Sequence, residues 1–365
     1  MLHFCCGFTA LLGQPMFDFT TVVLLCGFGI GVFFGIAGLL SGFCLTSGLR
    51  NQLLKGDGVL LRTFVLAAGV AVIGAQALAA SGLVDLGQSI YLQPSFSAPL
   101  ILFGGLVFGY GMVLANACAS RALVLLGRGN LRSLVVVVTI AIVAEMTLRG
   151  LLAPARLAVL NVSAVTPKVN SLPALFAGLG DSASHLAAGL LFGCALIVFA
   201  LGHAPLRRAY GQVAAGLSIG LLIPVSWFVT GFIGHDDFNP MQVSSLTFIN
   251  PIADGVQYVM LSTGSTLNFG ITVVAGVLVG SLTTALVTGR FSLEGYSSPL
   301  HMLRSLAGAA LMGAGGAMAY GCSIGQGLTG VSTLAIPSLI SVGGILLGAT
   351  AALRGPIRVP ALATA

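Results

Sequence analysis

Charged side chains are scarce in this sequence. Asp, Glu, Lys and Arg make up 7% of its 365 residues, whereas a typical soluble domain carries about 25%. The hydrophobic share is 57% and the mean hydropathy is +1.06. So few charges exclude a sizeable water-facing domain, and the composition predicts an all-α integral membrane protein.

Motifs that bind metals, nucleotides or cofactors are missing as well. The seven cysteines form no C-x-x-C pair and have no histidine cluster near them, which argues against a zinc site or a disulfide framework. The glycines lie within apolar runs, and no P-loop lysine follows them. The net charge of +6 comes from basic residues in short connections, which indicates membrane topology rather than affinity for nucleic acid. We expect neither a metal nor a cofactor.

Nine apolar runs are long enough to cross a bilayer, whose hydrocarbon core needs about 20 residues of helix. They cover residues 20–48, 59–80, 98–126, 131–153, 184–203, 209–233, 267–289, 303–333 and 337–353. The sequence therefore predicts about nine transmembrane helices, with short broken or re-entrant helices among them.

Lysine and arginine are concentrated in every second connection between these runs. With the N-terminus outside, twelve of the fifteen basic residues fall in cytoplasmic connections: Arg50, Lys55, Arg62, Arg121, Arg128, Arg132, Arg207, Arg208, Arg290, Arg304, Arg354 and Arg358. The exceptions, Arg149, Arg156 and Lys168, follow the fourth run. By the positive-inside rule, the N-terminus is predicted outside and the C-terminus in the cytoplasm.

The run from Arg304 to Gly330 is apolar, rich in glycine and contains one thiol, Cys322. One straight helix over it would span about 40 Å, more than the roughly 30 Å of a bilayer core. Each glycine inside it costs about 1 kcal/mol relative to alanine. We expect two shorter helices that meet within the membrane, which is tolerated only where the break is buried in protein or lines a cavity.

A similar stretch occurs 204 residues earlier in the chain. Residues 104–118 match 308–322, and both contain the pattern G-x-G-x-x-x-A-x-x-C that ends at Cys118 and Cys322. Under the predicted topology, the third and eighth runs cross the membrane in opposite directions.

Matching runs of opposite direction predict two inverted repeats, at about 20–153 and 209–353, joined by the run at 184–203. Weaker matches between the first and sixth runs, and between the second and seventh, agree with this division. Many transporters build their substrate sites from inverted repeats whose broken helices meet at the midplane. The sequence therefore predicts transport.

The connection 234–266 is long and semi-polar, and Pro240 and Pro251 are expected to break it into short interfacial helices. Whether it forms a vestibule or merely packs over the bundle stays open. Glu145 and Arg149 lie four residues apart in the fourth run and are expected to form an ion pair.

Three cysteines, Cys44, Cys118 and Cys322, share small neighbours, a nearby hydroxyl and a long run interrupted by glycine. The residues alone leave open whether these thiols line a substrate path or only pack. Cys26 and Cys194 lie in continuous apolar runs and are expected to pack as small hydrophobes. The residues predicted to support a pore are Gly109, Gly111, Asn116, Gly313, Gly315 and Gly321.

Three segments resemble the cysteine motifs of the YeeE/YedE family. They are F-C-L-T-S-G-L-R-N at 43–51, G-x-G-M-V-L-A-N-A-C-A-S at 109–120, and the stretch 303–328. Family members are bacterial inner-membrane proteins that import thiosulfate or related sulfur compounds. The resemblance implies an hourglass-shaped transporter, not an enzyme, in which thiosulfate passes between thiols at Cys44, Cys118 and Cys322. It also implies a partner, a small cytosolic sulfur-carrier protein of the TusA type.

Two of the motifs depart from the usual family pattern. Family members usually have two glycines before the second cysteine, where this sequence has Asn116 and Ala117, and Arg121 adds a positive charge three residues after it. Tyr320 stands where glycine is usual before the third cysteine. These departures bear on substrate and rate more than on fold.

A dianion such as thiosulfate cannot enter hydrocarbon unpaired, since the transfer costs tens of kcal/mol. Half-helix N-termini supply positive potential and N–H donors. Free thiols are mostly neutral at pH 7, because their reference pKa is about 8.5, so we expect S–H donors rather than nucleophiles. Two alternatives stay open: a transporter for a selenium compound or another sulfur species, and a membrane thiol–disulfide oxidoreductase, whose usual dithiol motif is missing.

Overall fold

The computed structural model describes residues 19–167, 169–174, 181–234 and 241–355. In chain order, its α-helices are α1 (Phe19–Ser41), α2 (Leu45–Arg50), α3 (Val59–Ala80), α4 (Ala98–Leu114), α5 (Ala119–Gly127), α6 (Leu131–Leu148), α7 (Ala153–Ser163), α8 (Asp181–Leu201), α9 (Ala204–Arg208), α10 (Tyr210–Phe228), α11 (Ile249–Met260), α12 (Phe269–Val287), α13 (Pro299–Met318) and α14 (Ile336–Arg354). Short π-helical segments occupy Asn51–Lys55, Val229–Ile233 and Gly325–Gly330. The predictions for Lys168, Pro240 and Arg358 fall outside the described residues.

Eight segments of the described chain are long and apolar enough to cross a membrane. Together with the all-helical architecture, this confirms a multi-pass α-helical membrane protein. The ninth predicted run, 303–333, corresponds to α13, which has 20 residues but is less apolar than the others. Its later part is covered by neighbouring helices, since Gly313 packs against Ile140 of α6 and Gly315 against Phe108 of α4, whereas Leu300 and Leu303 near its start are exposed.

Three predicted runs are divided into two helices each. The chain breaks between α1 and α2, between α4 and α5, and after α13 at Met318. The sequence predicts the last of these breaks, and it gives 20–48 and 98–126 as runs interrupted by glycine. These two runs agree with the candidate spans Phe19–Lys55 and Ala98–Gly127, and the structure adds where each of them breaks. A residue of left-handed backbone follows each first helix and ends it,.

Helix starts follow local sequence signals. The side chains of Ser97, Asn130, Asn268 and Ser298 accept hydrogen bonds from the first-turn amides of α4, α6, α12 and α13. Such caps satisfy amides that have no partner within the helix. These four helices therefore begin where the sequence changes from a polar connection to an apolar run.

Glycine allows the long helices to cross at close range. In α1, Gly31 lies against Gly276 of α12, so that a Cβ added at Gly31 would be 3.0 Å from the Gly276 Cα. In α4, Gly111 lies against Gly308 of α13, whose carbonyl oxygen would be 2.7 Å from an added Cβ. Small residues let helix backbones approach closely within a membrane.

The connection after α10 contains a short helix, α11, as the sequence predicts. Pro251 lies in its first turn, where a proline costs no hydrogen bond. The predicted ion pair is confirmed, with Arg149 Nη1 at 3.1 Å from Glu145 Oε1. Arg149 also binds Asp254 of α11 at 2.9 Å, which ties α11 to the end of α6.

Candidate functional site

Each of the three motif thiols lies at the start of the second helix of a broken pair. Cys44 directly precedes α2, Cys118 directly precedes α5, and Cys322 precedes the helical segment that contains Gly325–Gly330. Their exposed fractions are 3%, 0% and 0%. The structure therefore places all three predicted thiols at equivalent, buried positions of three broken helices.

The backbone turns left-handed two residues before each thiol. Gly42, Asn116 and Tyr320 have φ values of 69°, 62° and 57°. Glycine adopts this conformation at no steric cost, asparagine tolerates it, and other residues lose roughly 1–2 kcal/mol. Asn116 and Tyr320, two of the departures from the family pattern, thus have a backbone conformation that favours glycine.

Two of the thiols touch each other. The Cys44 and Cys118 sulfurs are 3.6 Å apart, and the Cys118 sulfur lies 3.3 Å from the Ser120 hydroxyl. Cys322 has no hydrogen bond to either of these thiols among the described residues. The structure therefore brings Cys44 and Cys118 together and gives Cys322 surroundings of its own.

Backbone amides face the sulfurs. The amide of Gly325 donates to the Cys322 sulfur at 3.3 Å, from the third position of its helix. The amides of Ser47 and Arg121 approach Cys44 and Cys118 from the same position, although without the geometry of a full capping hydrogen bond. Each thiol therefore lies at the positive end of a helix.

Two arginines add positive charge beside the thiol pair. The guanidinium groups of Arg50 and Arg121 both interact electrostatically with Cys44. Arg121 donates to the carbonyl of Gly38 at 3.0 Å, near the end of α1, and Arg50 donates to the side chain of Asn116. An anion near Cys44 would therefore meet two fixed cations.

Buried hydroxyls without partners lie next to two of the thiols in the chain. Thr46 and Ser323 are each 1% exposed, and their hydroxyl oxygens have no hydrogen-bond partner within the described structure. A buried polar group left unpaired costs about 1–3 kcal/mol. Such groups are expected where a ligand supplies the missing hydrogen bond.

Cys322 is bordered by two residues from loops. The backbone amide of Phe248 approaches its sulfur, and the Tyr91 phenol is close enough to interact with it electrostatically. Tyr91 is 4% exposed, and its ring meets the edge of Trp227 at a centroid distance of 6.4 Å. These neighbours come from the connections before α4 and before α11.

A polar cavity of about 210 Å³ lies beside Tyr91, between these two connections and the starts of α11 and α12. Its lining includes Thr247, Asn250, Arg149 and Asp254. We refer to it below as the Tyr91 cavity. The connection 234–266, whose role the sequence leaves open, thus forms part of a cavity wall through its described residues.

The predicted pore-supporting glycines lie mostly where helices cross. Gly109 packs against Ile345 of α14, and Gly111, Gly313 and Gly315 pack against α13, α6 and α4. Gly321 differs, because it lies in the turn directly before Cys322, with φ 157°. These glycines hold the broken helices close to their neighbours, and nothing in their contacts places the first four at a thiol.

Sequence reasoning missed three residues near the thiols. From sequence, Arg50 served only as a topology signal, and Tyr91 and Thr247 lie in connections between apolar runs without a recognisable motif. Arg50 is the second-to-last residue of the first cysteine motif, and this position was a usable signal. For Tyr91 and Thr247 the only signal was a polar aromatic or hydroxyl residue in a connection, which is too common to single out.

Two known proteins and one family model match most of this chain. Thiosulfate transporter TsuA of Escherichia coli (strain K12) is 24% identical over 346 residues, covering 89% of this chain and 92% of that protein. Thiosulfate transporter TsuA of Spirochaeta thermophila (strain ATCC 700085 / DSM 6578 / Z-1203) is 26% identical over 353 residues, covering 88% of this chain and 96% of that protein. A family model described as Sulphur transport matches residues 40–351, a range that includes all three motif thiols. The chain therefore belongs to the sulphur transport family, whose YeeE/YedE cysteine motifs its sequence resembles.

Proposed function

We propose that this protein imports thiosulfate across the bacterial inner membrane along a path lined by Cys44, Cys118 and Cys322. Its family transports sulfur compounds, and both relatives are named thiosulfate transporters and match along most of their length. The protein is a transporter in this proposal, and thiosulfate leaves it chemically unchanged.

One observation supports the path most strongly. Each motif thiol is buried at the N-terminus of a helix that begins inside a broken span. A helix N-terminus provides about half a positive charge and free amide donors. Three such ends, each bearing a thiol, offer a dianion a sequence of favourable positions across a bilayer that otherwise excludes it.

Successive thiols act as stations in this proposal. Cys322 receives the anion near the Tyr91 cavity, and the touching pair Cys44 and Cys118 passes it onward beside Arg50 and Arg121. Neutral S–H groups donate weak, soft hydrogen bonds to the terminal sulfur of thiosulfate. The hydroxyls of Thr46 and Ser323 have no hydrogen-bond partner in the described structure. They are suited to donate hydrogen bonds to the oxygens of thiosulfate.

The direction of import follows the charge distribution. We place the end of the molecule that contains Arg50, Arg62 and Arg128 in the cytoplasm, with the N-terminus outside and the C-terminus inside. A small cytosolic sulfur carrier of the TusA type would receive the sulfur at this end. The resemblance to the YeeE/YedE family is the ground for that partner.

Growth on thiosulfate as the sole sulfur source tests the proposal. The host lacks its own importers, and it expresses the wild type, Cys44→Ala, Cys118→Ala or Cys322→Ala at equal levels. The matched controls are Cys26→Ala and Cys194→Ala, since those thiols lie inside continuous helices. We expect the three motif variants to lose or sharply reduce growth and the two controls to grow like wild type.

Other outcomes contradict specific parts of the proposal. Equal growth of all variants would show that the three thiols only pack and take no part in transport. No growth with wild type would point to a different cargo, such as a selenium compound. A persulfide trapped on Cys44, Cys118 or Cys322 during turnover would show that the thiols act as nucleophiles rather than as neutral donors.

A further inference from the structure

We propose that Tyr91 and Thr247 form the first binding station for thiosulfate, where their hydroxyls hold its oxygens while its terminal sulfur faces Cys322. This inference rests on the proposed function and adds two residues that belong to no cysteine motif. Both residues line the Tyr91 cavity. They therefore define which anion reaches the first thiol.

Their position between the cavity and Cys322 is the first argument. The amide of Gly325 donates to the Cys322 sulfur. A Cβ added at Gly325 would lie 2.5 Å from the Thr247 hydroxyl oxygen and 3.5 Å from the Tyr91 hydroxyl oxygen. Tyr91 itself interacts electrostatically with Cys322. These two hydroxyls therefore lie both at the cavity and beside the glycine whose amide donates to the thiol.

The hydroxyl hydrogens give the second argument. The Tyr91 and Thr247 hydroxyls are neighbours, and even a hydrogen bond between them would use only one of their two O–H hydrogens. The other hydrogen remains for a ligand. Burial raises the pKa of the Tyr91 phenol above its usual value, so this group stays a donor at neutral pH.

The charge balance of the cavity is the third argument. Its charged lining residues, Arg149 and Asp254, bind each other at 2.9 Å and so largely cancel. Selection at this station must then come from hydrogen bonds rather than from net charge. Thiosulfate has oxygens at one end, which suit hydroxyl donors, and a soft sulfur at the other, which suits the Cys322 thiol.

The arrangement also accounts for a missing fourth thiol. The predicted inverted repeat matches the first run, which begins with α1, to the sixth, which holds α10. The next helices in the chain are α2 and α11, so Phe248 directly before α11 takes the place of Cys44 directly before α2. One half of the molecule therefore pairs two thiols, whereas the other half has a single thiol, Cys322. The hydroxyl pair beside Phe248 supplies the donor that a second thiol would give.

Two measurements on the purified full-length protein test this station. The first is the concentration dependence of labelled thiosulfate uptake into proteoliposomes. The second is fluorescence of Trp227, which is the one tryptophan in the sequence and packs against Tyr91. Titration with thiosulfate, and separately with sulfate, reports on ligand binding beside Tyr91 without requiring transport.

The test variants are Tyr91→Phe and Thr247→Val, with Thr247→Ser as the conservative change. Matched controls are Tyr296→Phe, whose hydroxyl donates to the Arg132 carbonyl elsewhere, and Thr284→Val, whose hydroxyl donates within its own helix. We expect each test variant to raise KM about tenfold, the effect of losing one hydrogen bond to a charged group. The maximal rate stays within about twofold, since the thiols are intact.

Thr247→Ser and both controls are expected to keep the wild-type KM, and sulfate is expected to change Trp227 fluorescence less than thiosulfate does. Unchanged KM and unchanged fluorescence titration in both test variants would overturn this inference while leaving the proposed transport intact. An equal rise in KM in the test variants and in the controls would indicate that the hydroxyls contribute to protein stability rather than to ligand binding. Wild-type protein that neither binds nor transports thiosulfate would overturn the proposed function itself.

Discussion

Gly104 of α4 packs against Gly315 of α13, and the same contact recurs with the two helices exchanged. An added Cβ at Gly104 would lie 2.7 Å from the Ala319 amide and 2.8 Å from the Gly315 carbonyl oxygen. At Gly308 it would lie 2.5 Å from the Ala115 amide and 2.7 Å from the Gly111 carbonyl oxygen. Both sets of residues differ by the same offset of 204. Reciprocal contacts of this kind are characteristic of two-fold symmetry, and they support the inverted repeat, which stays a prediction.

This reciprocity predicts equal losses of stability at Gly104 and Gly308. Because an added methyl group meets backbone atoms at both positions, Gly104→Ala and Gly308→Ala are each expected to lower the free energy of unfolding by about 1–3 kcal/mol. Gly29→Ala is the control, since nothing lies within 4 Å of its added Cβ. Thermal unfolding in detergent measures the effect, and clearly different losses at Gly104 and Gly308 would count against the two-fold relation.

The contact between Cys44 and Cys118 predicts inhibition by a thiol oxidant. Diamide takes two electrons and two protons from a pair of adjacent thiols, which join as a disulfide while diamide becomes the hydrazine. The 3.6 Å between these sulfurs requires only small movements, and the bond would block the proposed path. We expect thiosulfate uptake to fall after diamide and to recover with dithiothreitol. Cys44→Ser and Cys118→Ser are expected to have low uptake themselves, so in these variants mass spectrometry is used instead and is expected to find the remaining thiol free after diamide. A wild type insensitive to diamide would contradict the contact.

The left-handed backbone at Tyr320 predicts an unusual preference for glycine over alanine. In a helix, alanine is more stable than glycine by about 1 kcal/mol, but at φ 57° alanine pays a steric cost that glycine does not. Tyr320→Gly is therefore expected to be more stable than Tyr320→Ala by about 1–2 kcal/mol.

The neighbouring residue provides the control for this comparison. Ala319 has φ −87°, so Ala319→Gly is expected to bring no gain in stability. Thermal unfolding midpoints of the three variants distinguish the cases. A Tyr320→Ala protein as stable as Tyr320→Gly would show that the turn before Cys322 relaxes to another conformation.

Arg121 is expected to contribute to the capture of the anion at the thiol pair. Its guanidinium interacts electrostatically with Cys44, and its charge has no carboxylate partner in the described structure. Arg121→Gln is therefore expected to raise the KM for thiosulfate roughly tenfold, about 1.4 kcal/mol. The control is Arg128→Gln, because Arg128 pairs with Glu294 at 3.3 Å. An equal change in both variants would indicate a general surface effect.

Composition and periodic apolar runs were sufficient to predict the membrane class. Long apolar runs such as 59–80 and 337–353 nearly coincide with α3 and α14, because a span without water must satisfy its backbone within one helix. The three motif thiols were likewise found from sequence, since each follows a glycine-rich run. Local signals of this kind need no knowledge of the neighbouring helices.

The sequence alone determined the helical membrane architecture and which three thiols to examine. Only the tertiary structure decided that Cys44 touches Cys118 and that Tyr91 and Thr247 lie beside Gly325, whose amide donates to the Cys322 sulfur. These residues are far apart in the chain, and their approach depends on how whole helices pack and on turns at Gly42, Asn116 and Tyr320. The pattern of neighbouring residues predicts the helix that contains them. Contacts between helices depend on how all the helices pack together, which the local pattern does not contain.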